Sequence, residues 1–215
     1  MSSRDEILAR VRANQPAAQA LPPVPLFDAG RPASLAAFKA SLVRMGGKLA
    51  EVPAGGGLDA LVRRLFPDAK VVCSATPEVA GNRPLARVCK PADLDDVDVG
   101  VVRAVFGVAE TGSVWLSEAQ FGINALGFLS QHLVVLLDPA RIVVNLHHAY
   151  HDRGFHDARY AVLMTGPSAT ADIEGILIHG AQGIRSLTVV PVPVPPAAQE
   201  NGVRSNYPEN GVRSG

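Results

Sequence analysis

The run Tyr160-Ala161-Val162-Leu163-Met164 breaks into Thr165-Gly166-Pro167-Ser168-Ala169-Thr170-Ala171-Asp172-Ile173-Glu174, and Gly175-Ile176-Leu177-Ile178-His179-Gly180 follows at once. An apolar run of strand length, a Gly-Pro turn rich in hydroxyls, and then Ile173, Ile176 and Leu177 at helical spacing predict a strand over 160–165 and a helix over 170–180. A strand, a turn and a helix start of this kind form a binding crevice in α/β proteins. Gly166 lets the backbone turn sharply, Pro167 fixes the next φ, and Ser168 or Thr170 can cap the helix. Unpaired N–H groups and the positive dipole end would then face a carboxylate or phosphate. Asp172 and Glu174 stand two apart, so on a helix they diverge and make no same-face acid/base pair. Ser168 with Asp172, or Thr170 with Glu174, would share a face. Read without a ligand, the same residues cap and pack a helix.

Outward from this segment the chain alternates. Ser3 and Glu6 suggest a capping box for a short N-terminal helix, and Pro16, Pro22, Pro23 and Pro25 stiffen the connector after it. Ser34 caps a helix whose Leu35, Phe38, Leu42 and Met45 share one face, and Gly46-Gly47 ends it. Strands are expected at 48–52, 70–74, 101–106, 113–116, 133–137, 141–144 and 187–192, with a helix at 58–66. Several are continuous apolar runs, which calls for an α/β fold with a mostly parallel sheet covered on both faces. Residues 1–30 read as a helical arm with a Pro-rich connector, and 31–195 as the folded domain. The tail 196–215 repeats Glu-Asn-Gly-Val-Arg-Ser at 200–205 and 209–214 with no apolar face, so it is expected to be disordered.

Hydrophobic residues make up 47% of the 215 positions and charged ones 19%, a composition that supplies one well-buried domain. The formal net charge is zero, so nothing in it attracts nucleic acid or an anionic membrane. No apolar run approaches a membrane span and no signal core is evident, so a cytoplasmic location is expected. Cys73 and Cys89 lack CxxC spacing and support neither a disulfide framework nor a cysteine-ligated cluster.

Three further places carry candidate chemistry. In Ala109-Glu110-Thr111-Gly112-Ser113 a carboxylate and two hydroxyls flank a flexible Gly between apolar runs. Glu is an uncommon choice for a tight turn, and in a crevice Glu110 could be a base, a nucleophile or an acceptor for substrate. His147, His148, His151 and His156 crowd one segment, and His147 with His151 has the i, i+4 spacing of a shared metal. Without an HExxH pattern the segment reads rather as a surface helix, and no metal is expected. His132 opens the apolar run 133–137, and points either into the same crevice or into the core.

Taken together, Ala109-Glu110-Thr111-Gly112-Ser113, His132 before its apolar run, and Gly166-Pro167-Ser168-Ala169-Thr170-Ala171-Asp172-Ile173-Glu174 resemble the LUD-domain family, of the lactate utilization protein C (LutC) type. The resemblance runs through most of residues 1–195 in element order. It implies a three-layer αβα fold similar to the NagB/RpiA/CoA-transferase group. It also implies a role beside two partner proteins, one carrying iron–sulfur clusters, in oxidising L-lactate to pyruvate. Any redox cofactor would then belong to those partners and none to this chain. One departure is visible: the family often shows Gly-x-His-Gly-Pro after the last helix, where this chain has Gly180-Ala181-Gln182-Gly183-Ile184, so no histidine role carries over there.

Two readings stay open. The chain is an accessory subunit that binds a small carboxylate such as lactate, or a partner, through Thr111, Gly112, Ser113, His132, Gly166, Ser168, Thr170, Asp172 and Glu174. Alternatively it is a stand-alone enzyme of CoA-transferase-like fold, acting on a small carboxylate or thioester through Glu110. The oligomeric state is open as well, with the N-terminal arm available as an exchange element for a homo-oligomer.

Overall fold

The computed structural model describes residues 2–194 apart from Ala18, Leu21, Pro23, Ala29 and Arg153, and for Gly154 and Phe155 the backbone only. The expected tail at 196–215 lies outside the described residues. In chain order the helices are α1 (Ser3–Ala13), α2 (Leu35–Arg44), α3 (Leu58–Leu65), α4 (Glu118–Phe121), α5 (Leu126–Leu129), α6 (Leu146–Tyr150) and α7 (Gly154–Asp157). The strands are β1 (Lys48–Leu49), β2 (Val72–Ser74), β3 (Val99–Arg103), β4 (Phe106–Val108), β5 (Ser113–Ser117), β6 (His132–Leu137), β7 (Ile142–Val143), β8 (Ala161–Met164), β9 (Ala169–Thr170), β10 (Ile178–His179) and β11 (Ser186–Pro191).

Five strands form an all-parallel sheet in the order β1-β11-β6-β3-β2. Its centre, β6, is buried from Leu133 to Leu137, as a strand covered on both faces must be. Alternation along it feeds two cores. Val134 and Leu136 pack with Leu61 and Val62 of α3, while Leu133, Val135 and Leu137 pack with Phe38 and Leu42 of α2 and with Phe121 and Leu126. The second core is closed from the far side by a four-stranded sheet ordered β7-β4-β5-β8. Val114 and Leu116 of β5 face inward, and Trp115 faces outward with Phe106 and Val108 against Ala149 of α6. Helices therefore flank a mostly parallel central sheet, as expected.

Three local expectations are corrected. The predicted strand 101–106 is two strands in two sheets. Ala104 N–H donates to Leu136 O at 2.9 Å in the parallel sheet, whereas Val105 N–H donates to Trp115 O at 3.2 Å in the second. The capping box of α1 sits one residue earlier: Asp5 N–H donates to the Ser2 hydroxyl and Ser2 N–H to the Asp5 carboxylate, at 3.3 and 3.1 Å.

The third correction concerns the opening segment. No helix forms over 170–180. Instead β9 and β10 make a two-stranded antiparallel ribbon, with Thr170 opposite Ile178 and Ala169 opposite His179. Glu174 and Gly175 take φ of +55° and +71°, which no right-handed helix accommodates. Thr170 Oγ1 accepts Asp172 N–H at 3.3 Å, a local bond that competes with helical pairing. Ile173, Ile176 and Leu177 remain 51, 61 and 62% exposed, so the apolar stripe that a helix would have buried meets no core. Among the described residues no helix is long and apolar enough to cross a membrane.

Candidate functional site

The hairpin between β4 and β5 is shaped by Gly112. Its φ is +69°, its N–H donates to Val108 O at 2.8 Å, and its Cα lies directly against the backbone of Ser41 and Leu42 in α2. The turn after β8 approaches the end of the same helix: Gly166, at φ +65°, packs against Met45 O and Gly47 N. The two turns are joined through hydroxyls, since Ser113 Oγ is hydrogen-bonded to Thr165 Oγ1 and donates to Thr111 Oγ1 at 2.7 Å. Ser113 is 4% exposed, so this junction is structural packing rather than an open crevice.

Glu110 stands out of the junction into solvent. Its Oε2 accepts the Leu146 N–H at 3.1 Å, supplying an acceptor at the N-terminus of α6 beside the Asn145 cap. It also borders a polar cleft of about 320 Å³ with Arg31, Ser34, Ser41, Arg44 and Asn145. Neither arginine forms an ion pair with Glu110 among the described residues.

The remaining expected site residues lie apart. Ser168 donates its hydroxyl to Gln182 O, and its N–H donates to Ile184 O at 3.0 Å. Thr170 donates to the Asp172 carboxylate at 3.2 Å, with Asp172 and Glu174 exposed on the ribbon turn. The expected helix-start anion site at 168–174 is therefore absent, because no helix starts there. In the histidine-rich segment His147 packs edge-on against Phe27, His148 Nδ1 lies 2.8 Å from Asn145 Oδ1, and His156 Nε2 lies 2.8 Å from Tyr150 O. No group of three or more metal-ligating side chains is found among the described residues.

His132 belongs to a different crevice, of about 570 Å³, at the amino ends of β1, β11 and β6. Lys48 opens β1, Ser186 opens β11 and His132 opens β6; Ser186 is the register partner of His132. The imidazole stacks on Phe66 with centroids 4.7 Å apart, and its Nδ1 lies 2.8 Å from Ser186 Oγ. Arg185 precedes β11 and is anchored by its N–H donating to Gln131 O at 2.7 Å. Lys48, Arg185 and Ser186 were not legible as site residues. The only trace of them in the sequence is a polar residue just before each of several apolar runs. At the carboxyl ends of the sheet, Arg103 Nε donates to Glu78 Oε1 at 2.6 Å, beside a cavity of about 470 Å³.

Burial, then the nearby positive charges of Arg185 and Lys48, push the His132 pKa below its ordinary 6.5, against the pull of Asp98. The folded chain thus binds this proton less readily than the unfolded one. Stability from the neutral ring is complete above 6.5 and is lost as pH falls from there towards the lowered folded value. The midpoint of urea unfolding is expected to drop between about pH 7 and pH 5.5 in the wild type, and to drop less in His132→Gln. Equal slopes in the two proteins would contradict this.

The LUD domain family model matches residues 76–192, which include the Glu110 turn, His132, Arg185 and Ser186. A crystal structure of a DUF162 family protein from Deinococcus radiodurans superposes with a TM-score of 0.54 at 17% identity, covering 73% of this chain and 94% of that one. At that identity the likeness bears on the fold alone. No curated protein matches the chain. With the family model spanning more than half of its length and the fold shared, the chain belongs to the LUD domain family.

Proposed function

We propose that this chain is a LutC-like accessory subunit of a lactate-utilization system, working with iron–sulfur partner proteins that carry out the oxidation of L-lactate to pyruvate. Family membership supports a lactate-utilization role in general terms. The observation that favours an accessory part is the internal engagement of the signature turns. Glu110 accepts the Leu146 N–H, the hydroxyls of Thr111, Ser113 and Thr165 bond one another, and Gly112 and Gly166 sit against α2. These residues hold the domain together more evidently than they face a substrate. With two cysteines, the chain also supplies fewer thiolates than the four that an iron–sulfur cluster commonly takes.

One observation favours a second reading. Glu110 is exposed at a polar cleft containing Ser41 and Arg44, so a nucleophilic or basic carboxylate beside an anion-holding group is geometrically available. Glu110→Gln separates the two, because the amide oxygen can still accept the Leu146 N–H while nucleophilicity is lost. On the accessory reading, Glu110→Gln supports growth on lactate as the wild type does, and tagged protein from lactate-grown cells co-elutes with iron-containing subunits. Turnover of lactate, or CoA exchange between acids, by the purified chain alone would sink it, provided Glu110→Gln abolished that turnover.

A further inference from the structure

We propose that the crevice at the amino ends of β1, β11 and β6 binds a small monocarboxylate, gripped by Lys48 and Arg185 and oriented by His132. The two cations line one cavity: Lys48 opens β1, and Arg185 immediately precedes β11, its neighbour in the sheet. Neither side chain has an ion pair or hydrogen bond among the described residues. Two uncommitted cations lining one crevice repel, and an anion held between them relieves that repulsion. The guanidinium adds a planar fork that matches a carboxylate bidentately.

The rest of the lining narrows the class. Asp98 and Asp68 also line the crevice. Asp98 Oδ2 is occupied by the N–H groups of Lys70 and Val71 at 2.7 and 2.8 Å, so it stays ionised. Two carboxylates and two cations bring the formal charge of the lining to zero, so the crevice tolerates one added negative charge better than the two of a dianion such as phosphate. Leu65 and Phe66 give an apolar wall for a short carbon chain. His132 is fixed by the stack on Phe66 and by Ser186 at Nδ1, and Nε2 has no partner among the described residues. A neutral ring in that place can donate to, or accept from, a polar group next to the carboxylate.

This site is separate from the Glu110 cleft and does not rest on the lactate reading. The test is an amide NMR titration of the full chain with acetate, L-lactate, pyruvate and inorganic phosphate at fixed ionic strength, with sodium chloride as the reference. Saturable shifts are expected at Lys48, Gln131, His132 and Ser186 with the carboxylates, and weaker ones with phosphate. Lys48→Ala with Arg185→Ala, which removes two exposed side chains, should weaken carboxylate binding by about tenfold or more. Arg185→Gln alone, which keeps the backbone bond to Gln131, should weaken it in part. Shifts reproduced by sodium chloride, tighter binding of phosphate, or a double variant that binds like the wild type would each overturn the proposal.

Discussion

Gly112→Ala is expected to be among the most damaging single-methyl substitutions in the domain. A Cβ there would lie 2.5 Å from Leu42 Cα and 2.7 Å from the Ser41 carbonyl carbon, both backbone atoms of α2 that no rotamer change can move. The residue would also have to hold φ at +69°, in the left-handed region. Left-handed strain contributes roughly 1–2 kcal/mol and overpacking about 1–3 kcal/mol, together on the order of 4 kcal/mol. For a chain of this size that lowers the thermal midpoint by roughly 10–15 °C. Gly55→Ala is the control, because Gly55 has φ of +73° but nothing within 4 Å of the added methyl. It should lose only the strain. Thermal unfolding followed by circular dichroism decides the matter, and equal losses at the two positions would show that contact with α2 contributes nothing. Gly166→Ala, which would strike Met45 O, should behave like Gly112→Ala.

These glycines were legible in the sequence, and the reason is local. Gly112 and Gly166 follow apolar runs and turn the chain, which only a residue without Cβ does cheaply. The apolar runs that became β6 and β11 were legible as well, because strands buried on both faces need no alternation. The failure at 170–180 has an equally local origin. Ile173, Ile176 and Leu177 have helical spacing, but spacing predicts a helix only where a core receives the stripe, and here they stay exposed. The break at Arg103–Phe106 was hidden because strand-forming residues continue through it, and only the hydrogen-bond partner changes.

The two candidate crevices differ in legibility for a reason of sequence distance. The Glu110 turn is contiguous, so its carboxylate and hydroxyls were read together. The other crevice joins Lys48, His132 and Arg185 only because β11 inserts between β1 and β6. Strand order is a non-local property, and a lone His before an apolar run cannot reveal which cations the sheet will set beside it. Sequence therefore singled out His132 but left its neighbours open between the Glu110 crevice and the core, and the structure sets it in a third place.

Asp98 tests how far the fold and this crevice share one support. It stands just before β3, and its Oδ2 accepts two N–H groups from Lys70 and Val71 at the start of β2. Its own N–H donates to Val71 O at 3.0 Å, and its carbonyl accepts the His132 N–H at 2.9 Å. One residue thereby ties the amino ends of β2, β3 and β6. Asp98→Ala leaves both N–H groups without their acceptor and should cost about 2–3 kcal/mol, part of it recovered by water at this partly exposed edge. Asp98→Asn keeps one accepting oxygen and should lose less. The bonds from Val71 and Lys70 hold the Asp98 pKa below the ordinary 3.8. A carboxylate with a lowered folded pKa stabilises the fold above its unfolded value and ceases to do so as pH falls through the folded one. The advantage of wild type over Asp98→Asn in urea unfolding should therefore be full at neutral pH and shrink below 3.8. A constant difference across that range would mean that the charge plays no part. The same substitution removes a negative charge from the crevice wall, so Asp98→Asn should bind acetate more tightly than wild type while being less stable. A variant that lost both stability and acetate binding would show instead that Asp98 matters to the crevice through its backbone ties, by placing His132.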